Sequence, residues 1–146
     1  MNVYLAAVTD EKYDACAYAF IVGNSEVIKE RKFGCTVVEE YLNGFIGVNR
    51  YIISNNIYLD VTDFVLCTAS PVITKIIKTD YLEKLESHKW RKEDGKYQFY
   101  VPQLKELLLM KRFYAERGVS WSALNEVKET DYHFYEICVN AAKSIL

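Results

Sequence analysis

Apolar and polar positions divide the chain into a regular series of elements. Residues 3–9 form an apolar run of strand length, and a second run, Ala15–Val22, follows a polar link at 10–14. Gly23-Asn24-Ser25 is a turn signal, and 26–34 alternates well enough for a third strand. Consecutive strands with short links predict an antiparallel meander. Thr36 with Glu39 has the spacing of a capping box, so a helix is expected to start there, with Val38, Leu42, Phe45, Ile46 and Ile52 on its apolar face. Gly44 and Gly47 each weaken that helix by about 1 kcal/mol relative to alanine, a cost that close packing on a sheet would explain.

Residues 57–63 carry no clear pattern. From Phe64 a buried-strand run leads into Ser70-Pro71, an N-cap followed by proline at the first helical position, with Ala69 at the join. A short amphipathic helix is expected over 79–88, then a basic excursion from Lys89 to Lys96. Pro102 opens a strong helix that Gly118 ends, residues 119–124 read as a last strand containing Trp121, and Thr130 or Asp131 caps a final helix. Its expected stripe is Phe134, Ile137, Cys138, Ala141 and Ile145. A helix joining the meander to the next strand must cross over the sheet and leave that strand parallel to an earlier one. If the neighbour is the first strand, Ala6 and Ala69 lie side by side. The join at Ala69 is where an α/β protein usually places chemistry, and here it carries a methyl group.

Composition narrows the classes. The 146 residues suit a single domain, 51% apolar and 26% charged, which excludes disorder and fibrous classes. A formal charge of -2 gives no global case for nucleic acid, so such binding requires a local basic patch. No secretion signal or membrane-length apolar run is present, which predicts a soluble, intracellular, cytoplasmic protein. Cys16, Cys35, Cys67 and Cys138 lack the close pairs of a zinc site and read as reduced core thiols. His88 and His133 form no triad pattern, and no phosphate-cradling glycine loop argues for a nucleotide cofactor. Trp90 among Lys89, Arg91 and Lys92 suits a nucleic-acid backbone, although Glu93 and Asp94 also fit an ordinary solvated loop.

Over almost its whole length the chain resembles the ribonuclease H family, specifically the type I cellular and viral enzymes. Val-Tyr-Leu-Ala-Ala-Val at 3–8 is similar to the family's first strand with Ala6 in place of its aspartate, and Ala17-Tyr18-Ala19 resembles Gly-Tyr-Gly. Glu40 fits the glutamate of the first helix, with Glu39 as its competitor. Thr68-Ala69-Ser70 resembles Thr-Asp-Ser with alanine for aspartate, and Tyr135 stands where the last helix has an acid. The resemblance implies a ribonuclease H-like α/β fold: a five-stranded mixed sheet, three antiparallel strands then parallel additions, flanked by helices. It also implies nucleic-acid contacts from Ser70, Lys89, Trp90, Arg91 and Lys92.

Family members cleave RNA in RNA/DNA hybrids with Mg2+ or Mn2+ held by about four carboxylates. Alanine offers magnesium no oxygen, so Glu40 alone does not organise a metal pair. The family's loop histidine also lacks a counterpart, Val127 or a neighbour standing near its place. The alanines fit a natural pseudonuclease, a form inactivated by replacing its acids, or acids relocated to Asp10, Asp60, Asp63 or Asp131. The expected function is a catalytically impaired domain that binds an RNA/DNA hybrid, another nucleic acid or a protein partner. Read without the resemblance, Glu40 simply complements the helix dipole.

Overall fold

The computed structural model describes residues 1–124 and 129–146; the Val127 position lies outside the described residues. Strand β1 (Asn2–Asp10) sends Val3, Leu5 and Ala7 to one face and Tyr4 and Ala6 to the other, and all five are buried. Both faces are apolar because helices cover both. A 3-10 turn at Glu11–Tyr13, capped by Asp10, leads into β2 (Ala15–Val22), which pairs antiparallel with β1. Strand β3 (Ile28–Phe33) adds antiparallel to β2 as an exposed edge, and its run of charges discourages further strand pairing. The meander is therefore as predicted.

Helix α1 (Val37–Ser54) carries the crossover. Thr36 Oγ1 accepts the Glu39 N–H at 3.1 Å, which is half of the predicted capping box. The other half is replaced by a tertiary bond, since the Glu39 carboxylate accepts from Gln103 Nε2 at 3.3 Å. Leu42, Phe45, Ile46 and Ile52 are buried as expected, whereas Val38 is exposed because it lies before the helix meets the sheet. After a 3-10 turn at Ile57–Leu59, β4 (Asp63–Thr68) runs parallel to β1 with Leu5 opposite Thr68. That register puts Ala69, just beyond the end of β4, next in line with Ala6 in the middle of β1.

Ser70 Oγ accepts the Ile73 N–H and Pro71 starts α2 (Pro71–Lys78), followed by α3 (Tyr81–Ser87) and α4 (Val101–Glu116). Strand β5 (Ser120–Ala123) is parallel to β4 and completes the sheet order β3-β2-β1-β4-β5. The larger core, on the Leu5 face, unites α1, α2, α3 and α4 with the sheet; α5 (Glu129–Ser144) covers the Tyr4 and Ala6 face. Thr130 and Asp131 lie inside α5, so neither is its cap. Of the predicted stripe, Cys138 is buried and Ile137, Ala141 and Ile145 pack against the same core, Phe134 being the exception. Asp131, Cys138 and Ala142 are buried with Tyr135 half-buried, while Phe134 is 37% exposed. The hydroxyl of Tyr4 holds Asp131 at 3.0 Å and turns that side inward, a polar anchor that apolar periodicity does not register. Among the described residues no helix is long and apolar enough to cross a membrane.

The tightest approach of helix to sheet is at Gly44, where an added Cβ would lie 2.7 Å from Leu5 Cδ1 and 3.1 Å from Tyr18 Cγ. Gly44→Ala is expected to lower stability by about 1–3 kcal/mol through overpacking, despite alanine's better helix propensity. Urea denaturation checks this. A variant as stable as the parent would show that α1 can lift off the sheet without cost.

Candidate functional site

Of the expected acid positions, Ala6 and Ala69 each follow the last residues paired between β1 and β4, Leu5 and Thr68, while Glu40 is the only one that carries a carboxylate. Ala6 is fully buried and packs on the α5 side with Cys67 and Cys138, whereas Ala7 lies on the α1 side. A carboxylate at position 6 would therefore point toward α5. Ala69 is exposed immediately beyond β4. Tyr135 reaches from α5 to α1, where its hydroxyl shares a hydrogen bond of 3.0 Å with Tyr41, the neighbour of Glu40. Burial raises the pKa of the Tyr135 hydroxyl, and the bond to Tyr41 raises it further, so it stays protonated and neutral.

Glu40 is fully buried in the first turn of α1. Its Oε1 accepts from Asn43 Nδ2 at 3.3 Å, and Oε2 has no partner. Burial raises its pKa; the Asn43 bond and the Lys32 charge oppose that, while Glu30 and Glu39 add to it. Burial thus disfavours the charged form of the carboxyl that a hard cation requires. The relocated candidates do not gather either. Asp131 is bound to Tyr4, Asp10 caps the 3-10 turn, and Asp63 lies at the opposite end of β4 from Ala69. Among the described residues no three His, Cys, Asp or Glu side chains are grouped to hold a metal. The residues present do not fit a pair of magnesium or manganese ions.

The predicted contact residues divide into two kinds. Lys89, Arg91 and Lys92 are exposed after α3, and among the described residues none of them is in an ion pair. A turn closed by Gly95 N–H to Lys92 O at 2.9 Å, with Gly95 at φ +81°, and an Arg91–Tyr97 bridge fold this segment back on itself. Ser70 does not belong to this surface: it is 4% exposed and its hydroxyl is committed to capping α2. Trp90 is also displaced from the expected role. Its backbone turns left-handed at φ 62°, its N–H closes α3 on Leu85 O at 2.7 Å, and its ring packs against the main core.

The accessible rings are Tyr97 and Phe99, 76% and 67% exposed, which the sequence reading missed. Arg91 lies 4.6 Å from the Tyr97 centroid and Lys92 5.3 Å from that of Phe99. Two rings, Tyr97 and Phe99, close after the cations Arg91, Lys92 and Lys96 were the available signal. A recess of about 650 Å3 separates this segment from α2 and α3, with Lys75, Lys84, His88, Arg91 and Lys92 among its walls. Part of that charge is already used, because Lys84 pairs with Asp80 and Lys75 sits over Tyr81. Trp121 is core, stacked 5.0 Å from Phe64.

No protein-family model matches the sequence, and no curated protein matches it. Structural similarity is broad by contrast. A foamy viral protease-reverse transcriptase in complex with dsDNA superposes with TM-score 0.66 at 7% identity, covering 98% of this chain and 92% of that one. The foamy viral protease-reverse transcriptase with an RNA/DNA hybrid gives TM-score 0.68 at 9% identity over 98% of this chain and 19% of that one. Ribonuclease H1 of the halophilic archaeon Halobacterium salinarum gives 0.50 at 12% identity, covering 99% and 98%. The fold is ribonuclease H-like, with the mixed five-stranded sheet that the resemblance implied.

The raised pKa of Glu40 has a defined effect on stability. The folded state holds the Glu40 proton more tightly than the unfolded chain, so this group's contribution falls as pH rises from the ordinary glutamate range through the raised folded value. Glu40→Gln keeps an acceptor for Asn43 and removes the ionisation. The variant is expected to gain stability over the parent near neutral pH, with the gap closing toward about pH 4. Denaturation midpoints across that range test it; a gap that widens on acidification would contradict the assigned direction.

Proposed function

We propose that this chain is a ribonuclease H-like domain that binds an RNA/DNA hybrid without cutting it. The observation that carries the reading is the Tyr41–Tyr135 contact beside the sealed Glu40, where metal-dependent hydrolysis would need clustered carboxylates. Alanines at 6 and 69 leave the remaining positions without oxygen ligands. Binding falls to the segment after α3. Lys89, Arg91 and Lys92 supply cations for phosphates, and Tyr97 and Phe99 supply flat faces for sugars or bases. Two of the neighbouring folds were solved with dsDNA and with an RNA/DNA hybrid, which supports a nucleic acid as partner over a protein. The second reading is an inactivated Mg2+- or Mn2+-dependent endoribonuclease, favoured by alanine at both strand positions, 6 and 69.

A labelled hybrid duplex titrated at several salt concentrations tests binding. Affinity is expected to fall steeply with salt, and replacing Lys89, Arg91 and Lys92 together by alanine should flatten the slope of log K against log salt by about two to three. Absence of binding at low salt would remove the proposal, while salt-insensitive capture of a protein would favour the protein-partner alternative. The duplex should remain intact in magnesium. Ala6→Asp with Ala69→Asp should not restore cleavage while Tyr135 closes on Tyr41; EDTA-sensitive cleavage once Tyr135→Asp is added would support the inactivated-enzyme reading.

A further inference from the structure

Two of the cysteines that read as separate core thiols, Cys16 and Cys35, meet where β2 begins and α1 is capped. Along β2, Ala17 and Ala19 face α5 while Tyr18 and Phe20 face α1, so the alternation puts Cys16 on the α1 side. Ladder pairing of β2 with β3 ends at Ala15 opposite Phe33, and the Gly34 N–H then donates to Asp14 O at 2.9 Å. Gly34 turns left-handed at φ +69°, which takes Cys35 out of the strand. The Cys16 thiol donates to Cys35 O at 2.7 Å across 19 positions of sequence, and the two thiols are within hydrogen-bonding reach of each other. Both are free.

The backbone at both thiols is already fixed, since Cys16 lies in a paired strand and Cys35 immediately precedes Thr36, the cap of α1. Joining them in the folded state therefore orders little that is not ordered already, while it restricts the unfolded chain. Burial, the adjacent Cys16 thiol and the nearby carboxyls of Glu40 and Glu39 push the Cys35 thiol up to about 12. Dithiols are held in their reduced form where a low thiol pKa stabilises the thiolate; Cys35 lies at the other extreme, so its electrostatics do not keep the pair reduced. Cys16 is 1% exposed and Cys35 is partly exposed, which sets the order of reaction. We propose that Cys16 and Cys35 form a disulfide in the native fold on exposure to a low-molecular-weight disulfide, RSSR, a modification that ties the start of β2 to the cap of α1. The Cys35 thiolate attacks one sulfur of RSSR, forming Cys35–S–S–R and releasing one RS−; the Cys16 thiolate then attacks the Cys35 sulfur and expels the second RS−. The two protons lost by the protein thiols end on the released groups, so two protein thiols are oxidised as one RSSR is reduced to two RSH. The chemistry of the pair is independent of the hybrid-binding reading.

The test incubates the folded, full chain with cystamine until its mass no longer changes, alkylates the remaining thiols and maps the peptides by mass spectrometry. The expected product has lost two hydrogens, joins the peptides of Cys16 and Cys35, and carries alkyl groups on Cys67 and Cys138. The melting temperature should rise by roughly 5–10 °C on oxidation and return to the starting value with dithiothreitol, the shift expected for closing a loop of this length. Cys16→Ser, which keeps a donor for Cys35 O, should stop the reaction at the mixed disulfide on Cys35; if that variant does not fold, the peptide map of the parent decides. A mixed disulfide on Cys35 that persists in the parent, a bond to Cys67 or Cys138 instead, or an unchanged mass would overturn the proposal. So would an oxidised protein less stable than the reduced one, because the native fold would then not accommodate the bond.

Discussion

The contact of α1 with the sheet at Gly44 governs where Glu40, Tyr41, Phe45 and Asn49 lie. With Leu5 Cδ1 where a Cβ would collide, the helix axis is held close over β1 and β2. One turn earlier, that closeness drives Glu40 out of water and places Tyr41 within reach of α5. Farther along the helix it presents Phe45 and Asn49 toward α4 and β5. A helix packed this tightly has little freedom to slide, because the interior is dense and neighbouring side chains have no space to yield.

The two halves of α1 therefore face opposite situations. At its N-terminal half, the end of the sheet where an α/β protein usually opens a crevice is closed by two tyrosines and a buried carboxyl. The polar atoms there mostly satisfy one another, leaving Glu40 Oε2 unpaired. At its C-terminal half, Asn49 donates to Phe45 O while its Oδ1 is buried without a partner. Charge is distributed separately again. The segment after α3 carries Lys89, Arg91 and Lys92 beside Glu93 and Asp94, and solvent screening limits the reach of such exposed charges to about 10 Å at ordinary salt. Such a patch acts on phosphates that touch it and adds little beyond.

Much of the architecture was legible along the chain. Turn residues at 23–25, the Thr36 and Ser70 caps and Pro71 are local devices, and each works through atoms a few residues away. The parallel pairing of β4 with β1 followed from the need of a crossover helix. Side-chain destinations were less legible. Glu39 was expected to close its own capping box but bonds Gln103, 64 residues away. Trp90 was expected at the surface, yet a left-handed turn directs its ring to the core and leaves Tyr97 and Phe99 outside. The stripe of α5 was legible apart from Phe134, but it did not include Asp131, a polar residue that takes a buried position through Tyr4.

By itself the sequence determined the order and type of the elements, the parallel crossover, and the absence of acids at 6, 69 and 135, since these depend on residue identity and short-range geometry. Only the tertiary structure decided that Ala6 and Ala7 face different helices, that Tyr135 closes onto Tyr41, and that Cys16 and Cys35 meet. Those facts depend on strand register and helix placement, which are set by contacts between residues far apart in the chain.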